Sequence, residues 1–107
     1  MKRTNRIRKN NDFKRIINNR NLIKSNEFNV YYCNNNLSLT RIGISVSSKI
    51  ANAVMRNRIK RQIKSFINDL MTLDKNIDIV IIVREDYKKN TYQQNLDSFK
   101  KVIKRIP

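Results

Sequence analysis

The feature that most constrains the fold is a continuous apolar run, IDIVIIV, at residues 77–83. A short run of this kind, bounded by polar residues, predicts a strand that is buried on both faces. Residues 41–47, RIGISVS, alternate instead, so that one face carries Ile42, Ile44 and Val46. Residues 28–32, FNVYY, are also rich in strand formers. We expect the segments 28–32 and 41–47 to form an antiparallel pair with one apolar and one polar face.

Three helices are predicted around these strands. The longest spans residues 52–70, where apolar residues recur at helical spacing at Met55, Ile59, Ile63, Phe66 and Leu70. A shorter helix around Phe13, Ile16 and Ile17 has Asn11 or Asp12 as its expected cap, and Asn90 or Thr91 opens the last helix. The order helix–strands–helix–strand–helix predicts a single α+β domain over residues 1–107, an α/β sandwich with a small sheet. Residues 1–10 are cationic without periodicity, and we expect a flexible arm there.

The charge of the chain indicates a polyanionic partner. The formal net charge is +16, and residues 28–68 contain seven basic residues and no acidic one. On the long helix, Arg56/Lys60 and Lys60/Lys64 are like charges at i,i+4, a spacing that destabilises an isolated helix and that phosphates can neutralise. Because no apolar run approaches the ~20 residues that span a bilayer, nucleic acid is favoured over a membrane.

Aromatic placement favours RNA over DNA. Tyr31 falls on the polar face of its strand, near Asn29 and near Arg41, Gly43 and Ser45 of the neighbouring segment. An outward tyrosine among small polar residues is typical of a base-stacking platform for single-stranded RNA. An ordinary exposed strand tyrosine is the alternative, and the sequence leaves it open.

Most catalytic chemistry is excluded by composition. The chain has no His, and Cys33 and Gly43 are its only Cys and Gly. A Ser/His or Cys/His pair, a thiolate–imidazole metal site and a Gly-rich phosphate loop are therefore absent from the sequence. A metal-dependent nuclease built on Asp78, Asp86 and Lys88 remains as an alternative. A single Cys and an N-terminus without an apolar segment predict a cytoplasmic protein.

Residues 45–66, SVSSKIANAVMRNRIKRQIKSF, closely resemble the signature of the bacterial ribonuclease P protein component. The hallmark of that family is an Arg-Asn-Arg helix after a Ser-Val-Ser strand, here at residues 56–58. The similarity extends to the first helix, to FNVYY and to IVIIVRED. It implies a left-handed β-α-β crossover around the Arg-Asn-Arg helix.

The resemblance also implies a function. The family removes the 5′ leader of precursor tRNA, with catalysis by ribonuclease P RNA and its Mg²⁺, so neither a catalytic residue nor a metal or other cofactor is expected in the protein. The partners implied are ribonuclease P RNA and precursor tRNA, with no membrane and no obligate protein partner. The predicted contacts with the catalytic RNA are Arg56, Asn57, Arg58, Lys60, Arg61 and Lys64. The predicted leader cleft comprises Phe13, Ile17, Tyr31, Arg41 and Ser45, with Ile17 where relatives commonly have a second aromatic. A ribosomal or other structured-RNA-binding protein with no role in cleavage is the alternative.

Overall fold

The secondary structure follows the predicted order. The computed structural model describes residues 3–107. Its helices and strands are α1 (Asn10–Asn18), β1 (Leu22–Lys24), β2 (Phe28–Asn34), β3 (Arg41–Ser45), α2 (Ala53–Leu70), β4 (Ile77–Val83) and α3 (Tyr92–Ile103), with 3-10 helices at Arg3–Asn5 and Glu85–Lys89. The α+β prediction is confirmed. Within residues 3–107, no helix has the length and apolarity needed to cross a bilayer.

The four strands form one sheet in the order β1-β2-β4-β3. The predicted pairing of residues 28–32 with 41–47 is therefore wrong, because β4 lies between these two segments. β4 runs antiparallel to β2 and parallel to β3. The physical reason is that β4 is apolar on both faces. In the centre of the sheet, neighbouring strands pair both of its hydrogen-bonding edges and helices cover both of its faces. The parallel pair β3–β4 requires a crossover, which α2 supplies; its left-handedness stays a prediction.

The main core lies between the sheet and the pair α2 and α3. Ile59, Ile63 and Phe66 are at most 2% exposed, as the apolar stripe predicted. Met55 differs, since it lies in the first turn of α2 and is 38% exposed. The helix begins after Asn52, whose side chain accepts a hydrogen bond from the amide of Met55 at 2.9 Å. Thr91 and Gln94 cap α3 reciprocally, which confirms the predicted start of the last helix.

The opposite face of the sheet is partly covered by α1. Ile16 is fully buried there against Cys33 and Val80. The predicted caps are wrong, because α1 begins at Asn10 after Lys9 and has no side-chain cap. Asp12 instead lies 3.6 Å from Arg41 of β3, so its charge is directed at the sheet rather than at the amides of its own helix.

The chain before α1 packs against β3. Residues 1 and 2 of the predicted arm lie outside the described residues. Asn5 Nδ2 donates to the carbonyl of Thr40 at 2.7 Å, and the amide of Ile7 donates to the carbonyl of Ile42 at 3.1 Å. Ile7 is 6% exposed. The flexible arm predicted for residues 1–10 therefore does not describe residues 3–7, because a buried asparagine and isoleucine tie this segment to the edge of β3.

Candidate RNA interface

The α1 side of the sheet is organised in three rows of side chains across β2, β4 and β3. The first row is Cys33, Asp78 and Arg41, the second is Tyr31, Val80 and Gly43, and the third is Asn29, Ile82 and Ser45. Tyr31 and every residue of the third row are only partly buried. α1 packs over the first two rows, and we call the surface beside it, formed by the partly buried residues Phe13, Ile17, Tyr31, Ile82 and Ser45, the α1 cleft.

The ring of Phe13 is seated on the only glycine of the chain. A Cβ atom at Gly43 would lie 2.5 Å from Cζ and 2.7 Å from Cε1 of Phe13. Atoms at these distances overlap, so the ring reaches this position only because residue 43 has no side chain. Gly43 thus allows the close approach of an aromatic ring of α1 to β3.

Four of the five predicted cleft residues lie together. Phe13, Ile17 and Tyr31 surround the small cluster beneath α1, and Ser45 lies opposite Ile82 in the third row. Arg41 lies in the first row instead, where its side chain is 21% exposed. The sequence missed Ile82, because a residue in a continuous apolar run gives no sign of facing a cleft.

Arg41 is held by a buried carboxylate. Asp78 is fully buried in β4 and accepts from Arg41 Nε at 2.9 Å and Nη2 at 2.7 Å. It also accepts from Arg15 Nη2 at 2.7 Å and from Asn35 Nδ2 at 2.8 Å. Burial alone raises the pKa of Asp78, but the hydrogen bonds from Arg41, Asn35 and Arg15 outweigh it, so the net pKa is lowered. We call these residues the Asp78 cluster; it joins α1 to β3 and β4.

The Asp78 cluster removes the geometry that a metal-dependent nuclease would need. That alternative needs a free carboxylate at Asp78, but Asp78 lies inside β4 with its oxygens engaged by Arg15, Arg41 and Asn35. Asp86 lies on the 3-10 helix Glu85–Lys89 and pairs with Lys89 at 3.4 Å. Within residues 3–107, no group of three or more His, Cys, Asp or Glu side chains is placed to hold a metal ion.

The predicted RNA contacts of α2 form its cationic side. Asn57, Arg58 and Arg61 are exposed, whereas Arg56, Lys60 and Lys64 are partly buried. Arg56 Nη1 donates to the carbonyl of Ala51 at 2.9 Å, which ties the helix to the loop before it. The other cations lie off the buried stripe, so their charges are available to a ligand; they are Arg58, Lys60, Arg61 and Lys64.

This cationic side continues onto the N-terminal segment. A groove of about 270 Å³ is lined by Lys60 and Lys64 of α2, by Arg6 and Arg8, and by Phe13. Burial lowers the pKa of Lys64, and Arg6 and Lys60 lower it further by repulsion. Arg6 and Arg8 were missed as site residues because a segment without periodicity predicted an arm. The groove links α2 to the ring that borders the α1 cleft.

Comparison with known proteins identifies the family. The family model described as Ribonuclease P matches residues 1–107. The ribonuclease P protein component of Mycoplasma mycoides is 42% identical over 110 residues, covering 99% of each chain. The Staphylococcus aureus RNase P protein structure is 40% identical with a TM-score of 0.87, over 94% of this chain and 93% of that one. The Thermotoga maritima RNase P protein is 26% identical with a TM-score of 0.82, over 95% and 97%. This chain belongs to the ribonuclease P protein family.

Proposed function

We propose that this chain is the protein subunit that assists ribonuclease P RNA in removing the 5′ leader of precursor tRNA. The observation that carries the proposal is the continuity of one surface, from the cationic side of α2 through the groove at Lys60 and Lys64 to the α1 cleft. Such a surface fits two RNA segments at once, one structured and one single-stranded. We propose that the protein acts in the cytoplasm.

The cationic side of α2 is proposed to bind ribonuclease P RNA. Its cations project from a helix anchored by Ile59, Ile63 and Phe66, so they are presented on a rigid element. Each Lys or Arg that neutralises a phosphate releases counterions, which makes the affinity fall with salt. Arg6 and Lys60 repel the charge of Lys64, and phosphates that occupy the groove relieve this repulsion.

The α1 cleft is proposed to bind the leader. Tyr31 and Phe13 offer aromatic surface, and Ser45 and Asn29 offer hydrogen-bonding groups in the open third row. Stacking on aromatic side chains accepts any base, which suits leaders of varied sequence. Arg41, which the sequence placed in this cleft, is instead proposed to position α1 through Asp78.

Cleavage itself is assigned to the RNA and to Mg²⁺ held by the RNA. The chain has no His, and the carboxylate of Asp78 is engaged by two arginines. A protein in this role lowers the repulsion between two polyanions and positions the leader. The alternative of a structured-RNA-binding protein without a role in cleavage is disfavoured by the family match over the whole chain.

The test is reconstitution. Purified chain, ribonuclease P RNA from the same organism and precursor tRNA are combined singly and together at low and at high Mg²⁺. We expect no cleavage by the chain alone, and cleavage at low Mg²⁺ only when both chain and RNA are present. Cleavage by the chain alone, or no effect of the chain on the RNA reaction at any Mg²⁺ concentration, would overturn the proposal.

A further inference from the structure

A second groove lies between α2 and α3, on the side of the sheet away from α1. Its volume is about 320 Å³, within the range of pockets that take small ligand groups. α2 contributes Met55, Arg58, Ile59 and Gln62, and the chain from Tyr87 to Asn95 contributes the other wall. It shares no lining residue with the groove at Lys60 and Lys64. We call it the α2–α3 groove.

Two of the four exposed large apolar side chains in the described part of the chain lie in this groove. Met55 is 38% and Tyr92 is 47% exposed, and both line it. The ring of Tyr92 packs edge-on against Phe66, with centroids 5.2 Å apart and an interplanar angle of 62°. Tyr92 is also the first residue of α3, directly after the N-cap residue Thr91, so the start of the helix fixes its position while it stays 47% exposed.

The base of the groove is rigid. Tyr87 is 3% exposed, and its hydroxyl donates to Gln62 Oε1 at 2.8 Å. The side chain of Asn95 donates to the carbonyl of Tyr87 at 3.0 Å and accepts from Asn90 at 3.2 Å. A binding surface held in this way loses little conformational freedom when a ligand arrives.

The charge at the groove selects an anionic ligand. Arg58 and Lys88 line it, and no Asp or Glu does. Both side chains are exposed, and neither forms an ion pair with any residue in the described part of the chain. A second copy of this chain would carry the same net charge of +16 and would be repelled. A ligand with a flat apolar group next to a negative charge matches both the apolar surface and the positive charge of the groove.

We propose that the α2–α3 groove binds one unpaired nucleotide of ribonuclease P RNA. Its base stacks on Tyr92 beside Met55, and its phosphate lies between Arg58 and Lys88. The proposal rests on the function proposed above and adds to it a contact on the far side of α2. Arg58 then has a role different from that of Arg61, because it belongs to this groove.

The first test compares two variants of one residue. Tyr92→Phe keeps the ring, whereas Tyr92→Leu keeps apolar bulk without an aromatic face. In equilibrium titrations with ribonuclease P RNA from the same organism, we expect Tyr92→Leu to weaken binding about tenfold and Tyr92→Phe to bind as the wild type does. Lys88→Gln should lower the salt dependence by about one phosphate contact. Circular dichroism checks that each variant is folded.

Arg61→Ala separates failure of this proposal from failure of the proposed function. If Arg61→Ala weakens RNA binding and Tyr92→Leu does not, the α2–α3 groove is not an RNA contact although the chain still binds this RNA. If the wild type itself does not bind, both proposals are overturned. The second test replaces Tyr92 by photoreactive benzoylphenylalanine in the assembled complex. A crosslink to one RNA position supports the proposal, whereas no RNA crosslink, or a crosslink to a second copy of the chain, overturns it.

Discussion

Replacing Asp78 by Asn should destabilise the protein more than any other single charge removal in the described chain. The substitution keeps the size of the side chain but removes the charge that faces Arg15 and Arg41. It also puts an amide donor where the carboxylate accepts four hydrogen bonds of 2.7–2.9 Å. Breaking a buried ion pair from one side typically costs ~3–5 kcal/mol.

Partial exposure of the two arginines reduces this figure. The Arg15 side chain is 49% exposed and that of Arg41 is 21% exposed, so both can regain water when the carboxylate is lost. We therefore expect a loss of about 2–4 kcal/mol in the free energy of unfolding. Urea denaturation followed by circular dichroism measures it. The matched control is Asp86→Asn, which removes one exposed ion pair to Lys89 and should cost at most about 0.5 kcal/mol.

The loss should also depend on pH. The pKa of Asp78 lies below its ordinary value of 3.8 in the folded protein, so the unfolded chain binds the proton more readily. The stabilisation by Asp78 is then fully present above about pH 4 and is lost as pH falls through the lowered pKa. The gap between wild type and Asp78→Asn should shrink below pH 4. A gap that is under about 0.5 kcal/mol at pH 7, or one that grows on acidification, would refute the role given to Asp78.

Three further predictions concern the RNA interface. Gly43→Ala should lower the free energy of unfolding, measured in urea, by about 1–3 kcal/mol because the new Cβ meets the ring of Phe13. The same substitution should cost much less in a Phe13→Ala background. Equal costs in the two backgrounds would mean that the ring of Phe13 does not require glycine at residue 43. Tyr31→Ala should weaken holoenzyme binding of precursor tRNA about tenfold in equilibrium titrations while mature tRNA binds as before, since the loss is one stacked base; equal losses would remove Tyr31 from the cleft. Arg61→Ala should leave the fold intact and lower the salt slope of RNA binding by about one contact; an unchanged slope would place Arg61 outside the interface.

Local patterns in the sequence were enough to predict the elements. The 3.6-residue period that includes Ile63 and Phe66 located α2, and Thr91 located the start of α3. Sheet order was not predictable in this way, because the neighbour of β2 and β3 is a strand that comes later in the chain than both. Pairing between distant segments leaves no trace in the spacing of either segment.

The candidate site was predictable where a residue type carries the signal. Tyr31 is an aromatic on a polar strand face, and the structure places it at the edge of the α1 cleft with Phe13. Asp78 carried no such signal: its partners Arg15 and Arg41 are 63 and 37 residues away, so nothing near residue 78 indicated a buried ion pair. Arg6 was missed for the same reason, since its groove is completed by α2.

The central position of β4 has a consequence for the order in which the chain folds. β2 and β3 share β4 as a partner, and β4 follows α2 in the chain. Of the four strands, therefore, only β1 and β2 can pair during synthesis before Ile77 leaves the ribosome. Until then α2 has only an incomplete sheet to pack against, and two strand edges stay open to association with other chains. Closing the sheet brings together segments far apart in sequence, which slows folding relative to a helical bundle of this size. A nascent chain that stalls before β4 therefore exposes the cationic helix α2 without the support that holds it in place.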